Sequence, residues 1–162
     1  MERFVNENAF LVSKTNPKGV ITYANQPFVK IVGARERDLL GKPHNIIRHP
    51  DMPKLAFKYL WERISAKQEA SVFVKNKTLD GSFYWVFAIV TASLGVQGEI
   101  VGYYSVRRRP NMRGIKEVAP LYDSLLKCEK KGGIRASADE LERFLAQEKM
   151  SLEQFMHTLQ RL

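Results

Sequence analysis

Residues 83–93 carry large apolar side chains at both parities: Phe83, Trp85, Phe87 and Ile89 on one face, Tyr84, Val86, Ala88 and Val90 on the other. An antiparallel strand with one covered face alternates apolar with polar residues. This one does not, so its sheet needs two covers. Short helices or a ligand would supply one, a terminal segment or a partner chain the other. The run at 70–79 is also strand-like, and Asp80-Gly81 between the two is a strong hairpin signal. A turn at Gly95-Val96-Gln97-Gly98 leads into a last strand at 99–107.

The first third of the chain reads as a second hairpin followed by short helices. Strands at 10–15 and 20–24 flank Asn16-Pro17-Lys18-Gly19, a turn with proline and glycine punctuation. Asn25 then opens a short helix ending at Gly33, and another short helix at 36–40 ends at Gly41. Next comes His44-Asn45-Ile46-Ile47-Arg48-His49-Pro50-Asp51-Met52-Pro53, which holds two of the three histidines. Pro50 and Pro53 fix φ and turn their predecessors away from helix. Asp51 stands where a cap would be expected for the helix that follows. Such a polar knot suits either a ligand site or a plain helix start. From Lys54, Leu55, Phe57, Tyr59, Leu60, Trp61 and Ile64 give a helix of about twelve residues with a wide apolar face.

Beyond Pro110 the period becomes helical. Ile115, Val118, Leu121, Tyr122, Leu125 and Leu126 define a helix over 114–130, with Pro120 as an expected kink. Lys131-Gly132-Gly133 breaks it, and the capping boxes Ser137-Ala138-Asp139-Glu140 and Ser151-Leu152-Glu153-Gln154 start two more helices. These helices are amphipathic and need a surface.

With 44% hydrophobic and 27% charged residues, the chain can form an ordinary core. It contains no run of ~18 apolar residues, the length of a membrane span, and its first residues do not resemble a secretory signal. Cys128 is the single cysteine, which leaves no internal disulfide and no cysteine-rich metal site. A cytoplasmic location is the default expectation. The net charge of +9 raises the question of an anionic partner. There is no nucleic-acid motif, so the excess reads as solvated surface or as a face for a charged partner or membrane. Arg107-Arg108-Arg109 reads as a solvated strand end.

The element order β-β-α-α-α-β-β-β over 10–110 resembles a PAS domain, an α+β fold with a five-stranded antiparallel sheet and short helices on one face. Tyr23-Ala24-Asn25-Gln26-Pro27-Phe28 is similar to a motif of PAS cores. The His44–Pro53 knot resembles the signature of the Aer-type aerotaxis, or energy-taxis, PAS domains. Val74-Lys75-Asn76, Tyr84-Trp85-Val86 and Gly102-Tyr103-Tyr104-Ser105-Val106-Arg107 continue the likeness in order. This divides the chain into an N-terminal cap (1–9), a PAS sensor domain (10–110) and helical C-terminal extension (111–162).

The resemblance implies non-covalently bound FAD whose redox state is the signal, with no catalysis. It points to Asn25, Arg48, His49, Asp51 and Phe57 as flavin-binding or signalling positions, and Trp61 and Trp85 are aromatic candidates for the ring pocket. Asn25 could read the ring edge through its amide, and Arg48 could pair with a pyrophosphate. Where the family has a tryptophan at the start of the strand after the long helix, this chain has Ala70.

Each residue also has a structural role open to it. Asn25 could be a helix cap, Arg48 and Asp51 an ion pair, His44 and His49 satisfied buried histidines, and Trp61 and Trp85 core. The implied partner is a separate membrane-bound, methyl-accepting chemotaxis-type transducer, with no nucleic acid and no direct membrane insertion; contact with it could hold the protein at the inner membrane. Residues 111–162 and the N-terminal segment are the expected docking or homodimerisation surfaces, so removing 112–162 is expected to leave flavin binding intact. The alternative is a ligand-free PAS adaptor. A haem sensor and a flavoenzyme rank lower, and light-oxygen-voltage chemistry lacks its cysteine beside the ring.

Overall fold

A computed structural model describes residues 1–162. In chain order its strands are β1 (Glu2–Arg3), β2 (Leu11–Thr15), β3 (Ile21–Ala24), β4 (Ala70–Lys77), β5 (Phe83–Leu94) and β6 (Ile100–Arg108). Its helices are α1 (Gln26–Val32), α2 (Glu36–Leu39), α3 (Lys54–Ser65), α4 (Met112–Glu148) and α5 (Leu152–Gln160), with a 3-10 turn at His44–Ile47.

β5, the strand that needs two covers, is central. It pairs antiparallel with β4 from Ala70↔Val90 to Lys77↔Phe83, and on its other edge with β6 from Phe87↔Arg108 to Leu94↔Ile100. β6 pairs with β2, and β2 with β3, both antiparallel. The N-terminal cap adds a sixth strand, absent from the sequence reading. The two residues of β1 run parallel to the start of β5. Arg3 anchors this strap by donating to the Ile31 carbonyl and pairing with Asp80.

Residues directly opposite in an antiparallel pair share a face, so two faces can be traced across the sheet. The inner face carries Val74, Asn76, Ala88, Val90, Tyr103, Ser105, Arg107 and Ser13, and α3 and the 3-10 turn lie over it. The outer face carries Phe73, Trp85 and Phe87. The chain's own C-terminal helices cover it: Trp85 stacks on Tyr122, the Tyr122 hydroxyl donates to the Phe73 carbonyl, and Phe87 meets the edge of His157. One core of 27 buried residues runs through both layers, from Phe28 and Ile47 to Leu125 and Leu159.

The C-terminal break falls at Gly133, whose φ of 75° and ψ of −171° interrupt α4. Only glycine adopts that conformation readily. Pro120 causes no such break. Ser137 does not start a helix as expected; it is fully buried inside α4, and its hydroxyl donates to the Ile134 carbonyl. The helix resumes directly after Gly133, so a cap at Ser137 has no N-terminus to serve. Ser151 and Gln154 do form the expected reciprocal capping box.

Candidate functional site

Between the inner face, α3 and the 3-10 turn lies a cavity of about 340 Å³, toward the small end of the ~300–1,000 Å³ usual for ligand pockets. Phe57, Leu60, Trp61 and Ile64 project into it from α3 at helical spacing, and Val74, Ala88, Val90 and Tyr103 form the opposite wall. The Trp61 indole meets Tyr103 edge-on at 5.3 Å and lies against Gly19 in the β2–β3 turn. With 36% of its surface exposed, Trp61 stands at the mouth.

The polar lining is basic. Lys18, Arg48 and Arg107 line the cavity, and no carboxylate does. Arg107 is only 2% exposed. Its guanidinium donates to the Leu11 carbonyl at 3.3 Å and Ser13 Oγ at 2.8 Å, and contacts His44 Nε2 at 3.1 Å. It also lies 4.1 Å from the centre of the Phe28 ring. Burial, which penalises the charged form, lowers its pKa to about 10. No anion in the protein balances this charge.

A guanidinium can only donate, so His44 Nε2 is the acceptor and the neutral ring carries its proton on Nδ1. The same nitrogen lies 2.9 Å from Ser13 Oγ. Burial, reinforced by the Arg107 charge, pushes His44 down to about 3. His44 is thus a half-buried histidine whose Nε2 is held by Arg107 and Ser13.

Arg48 lies at the end of the 3-10 turn, where its backbone forms a β-bridge with Asn76. Its guanidinium sits 3.7 Å from the centre of the Phe57 ring, and burial lowers its pKa. Arg48 Nε is buried with no hydrogen-bond partner. An unpartnered buried donor is costly, and an acceptor in the cavity would satisfy it.

Of the seven residues singled out from sequence, Arg48, Phe57 and Trp61 line the cavity. The other four do not. The Asn25 amide is held by the backbone: Oδ1 accepts from Val12 N and Phe28 N, and Nδ2 donates to the Phe10 carbonyl. It is the cap of α1, tied to the neighbouring strand. His49 Nδ1 accepts from the Asp51 backbone at 3.0 Å, and its ring packs edge-on against Phe83. Burial and the nearby Lys75 charge lower its pKa.

Asp51 does not cap α3. It pairs with Lys75 at 2.8 Å, a hydrogen bond that lowers its pKa. The N-cap position belongs to Pro53, which has no side-chain acceptor. The Glu129 carboxylate arrives from α4 and accepts from Lys54 N at 3.0 Å and Leu55 N at 2.9 Å. Trp85 points away from the cavity because odd-numbered positions of β5 face the C-terminal helices.

Arg107 is also a correction, since the sequence reading made it part of a solvated strand end. Strand parity places it inward with Tyr103 and Ser105, while Arg108 faces outward over Phe87. That alternation was the available signal. Asn76, one residue of the Val74-Lys75-Asn76 motif, also lines the cavity. Ala70 is fully buried and packs with Ile64, Val90 and Tyr103, three residues that line the cavity.

Comparison with known proteins agrees with this architecture. The PAS fold family matches residues 21–107, more than half of the chain. The aerotaxis receptor of Escherichia coli (strain K12) is 40% identical over 119 residues, covering 74% of this chain and 23% of the receptor. The nitrogen fixation regulatory protein of Klebsiella pneumoniae is 26% identical over 104 residues, 64% of this chain and 21% of that protein. The chain thus spans less than a quarter of either relative. Among solved structures, the blue-light photoreceptor Aureochrome1 LOV in its dark state superposes with a TM-score of 0.60 at 22% identity, over 74% of this chain and 86% of that one. The chain belongs to the PAS fold family.

Proposed function

We propose that this protein is a non-catalytic sensor whose PAS cavity holds FAD non-covalently and whose output reflects the flavin's redox state. The observation that carries the reading is the cavity's charge: buried Arg107 and half-buried Arg48, with no carboxylate beside them and one guanidinium nitrogen unpartnered. Such a lining favours an anionic or electron-rich occupant. Similarity to the aerotaxis receptor supports taxis as the context, and a flavin is the occupant that the resemblance of the His44–Pro53 knot implies. Flavin supplies reversible redox chemistry in which reduction changes the charge and hydrogen-bonding capacity of the ring.

The residues divide into two groups. Phe57, Leu60, Trp61 and Ile64 provide flat apolar walls, Asn76 an amide with both donors and acceptors, and Arg48 and Arg107 positive charge. Asn25, His49, Asp51 and Trp85 support binding indirectly, through the hairpin, the knot and the outer face. At about 340 Å³ the cavity has room for a ring system, and Trp61 and Lys18 in its lining would be available to the rest of a dinucleotide. A haem reading lacks a free axial ligand, since His44 Nε2 is occupied and His49 lies outside the cavity. A ligand-free adaptor filled by side chains does not match a cavity of this size.

The output partner in this reading is a separate membrane-bound, methyl-accepting transducer, with the protein on the cytoplasmic side. No helix of the chain is long and apolar enough to cross a membrane.

Titrating the protein with FAD, followed by flavin fluorescence, tests the site. Arg107→Gln is expected to weaken binding at least tenfold, while Arg109→Gln is expected to leave it unchanged. Equal affinities in both variants would contradict the assignment. Co-purification with a candidate transducer tests the output.

A further inference from the structure

The helix that walls the cavity is also the helix that the C-terminal segment holds. Phe57, Leu60, Trp61 and Ile64 of α3 face the cavity. Leu55 and Ala56 face the other way, against Leu121 and Leu125 of α4 and Leu152 and Met156 of α5. Two carboxylates fasten that outer side. Glu129 closes the N-terminus of α3 through Lys54 N and Leu55 N, and Glu153 of α5 accepts from the Tyr59 hydroxyl and lies 3.8 Å from Arg63. The Ser137 hydroxyl approaches Glu129 at 3.4 Å, so the same carboxylate also touches the part of α4 beyond Gly133.

This cap is unusual in origin. An α-helix is ordinarily capped by its own N-cap side chain, but here Pro53 offers none, and the acceptor lies 75 residues away in sequence. We propose that Glu129 is a positioning residue for the cavity and the contact through which cavity occupancy reaches the C-terminal helices. A change that shifts α3 from inside lengthens or tightens the Glu129 hydrogen bonds, and release of Glu129 loosens the cavity wall from outside. The coupling is reciprocal, as for any two sites that bias one element. It deepens the sensor reading above by supplying its route of output, and its physical premise needs only a filled or unfilled cavity.

The test separates the clasp from simple capping and from the identity of the ligand. Pro53→Ser gives α3 a local cap without restoring the link to α4. The cavity is filled in two ways: by added FAD, and without ligand by Ser105→Phe, with Ser105→Leu as a smaller version. Hydrogen exchange is read over 54–57 and 126–148. In the otherwise unaltered chain, each filling is expected to change exchange over 126–148 at least threefold. In the Glu129→Ala, Pro53→Ser background, exchange over 54–57 stays slow and the response over 126–148 disappears. A Glu129→Gln chain, which keeps one acceptor oxygen, gives an intermediate response. Persistence of the full response without Glu129 would overturn the proposal, as would no response to either Ser105 variant in the unaltered chain. A response to Ser105→Phe but none to FAD leaves the clasp standing and removes the flavin reading.

Discussion

At the scale of single residues, the cavity is built on an unbalanced cation beside a histidine kept neutral. Their contacts make stability depend on pH in a defined direction. An unfolded histidine binds its proton near pH 6.5, whereas native His44 does so only at about 3. Between those values the unfolded chain holds more protons, so stability falls as pH falls. Going from pH 7 to 4.5 is expected to remove about 2–3 kcal/mol through this residue. Denaturant titrations at the two pH values measure it, and His44→Gln should flatten that part of the dependence. Arg48 and Phe57 were legible through the family resemblance that the knot carries, and Trp61 as an aromatic residue on the apolar side of the helix that follows. Arg107 was illegible for a physical reason: charged residues are seldom buried unpaired, and a triplet of arginines at a strand end ordinarily faces water. Asn25 misled in the opposite way, because an amide suited to reading a ring edge equally suits a helix cap and a strand carbonyl.

At the scale of elements, α3 explains why its apolar face looked so wide in sequence: it has two apolar sides and two neighbours. Its length and position were readable, but the identity of its cap was not, since Glu129 is brought to it only by tertiary packing. Glu129→Ala is expected to cost about 1–2 kcal/mol, the range of a lost N-cap plus a charge at a helix N-terminus. The loss should appear as a lower Tm and be largely recovered by Pro53→Ser. The seam between the two terminal helices is tight at Gly114, where a Cβ would stand 2.7 Å from the Leu159 carbonyl oxygen and 2.9 Å from Phe73 Cζ. Gly114→Ala should therefore cost roughly 1–3 kcal/mol by overpacking and loosen α5, read as faster exchange over 152–160. The hairpin at Asp80-Gly81 and the break at Gly133 were both visible from sequence, because turn chemistry is local. The buried Ser137 was not, because a capping pattern inside a helix is the same string as one at its start.

At the scale of the whole molecule, the two covers required by β5 come from this one chain, the cavity side from α3 and the outer side from α4 and α5. The C-terminal helices contribute Val118, Leu121, Tyr122, Leu125, Phe155 and Met156 to the same core as the sheet. Removing 112–162 exposes Phe73, Trp85 and Phe87 and strips the cap from α3. The shortened chain is therefore expected to aggregate or to lose cooperative unfolding, contrary to the expectation from sequence that flavin binding would survive the truncation. Calorimetry on the two lengths distinguishes these outcomes. The fold was legible because the order of elements and their turn signals are local properties. Whether the extension or a partner chain covers the second face was left open, since an amphipathic helix does not specify which surface it will meet. The central claim concerns what the cavity holds, and the visible absorbance spectrum of the untruncated 162-residue chain, purified without added flavin, tests it most directly. The expected result is an oxidised flavin spectrum that bleaches with dithionite, returns in air, and is lost or strongly reduced in Arg107→Gln. A colourless protein that also fails to take up added FAD would contradict it.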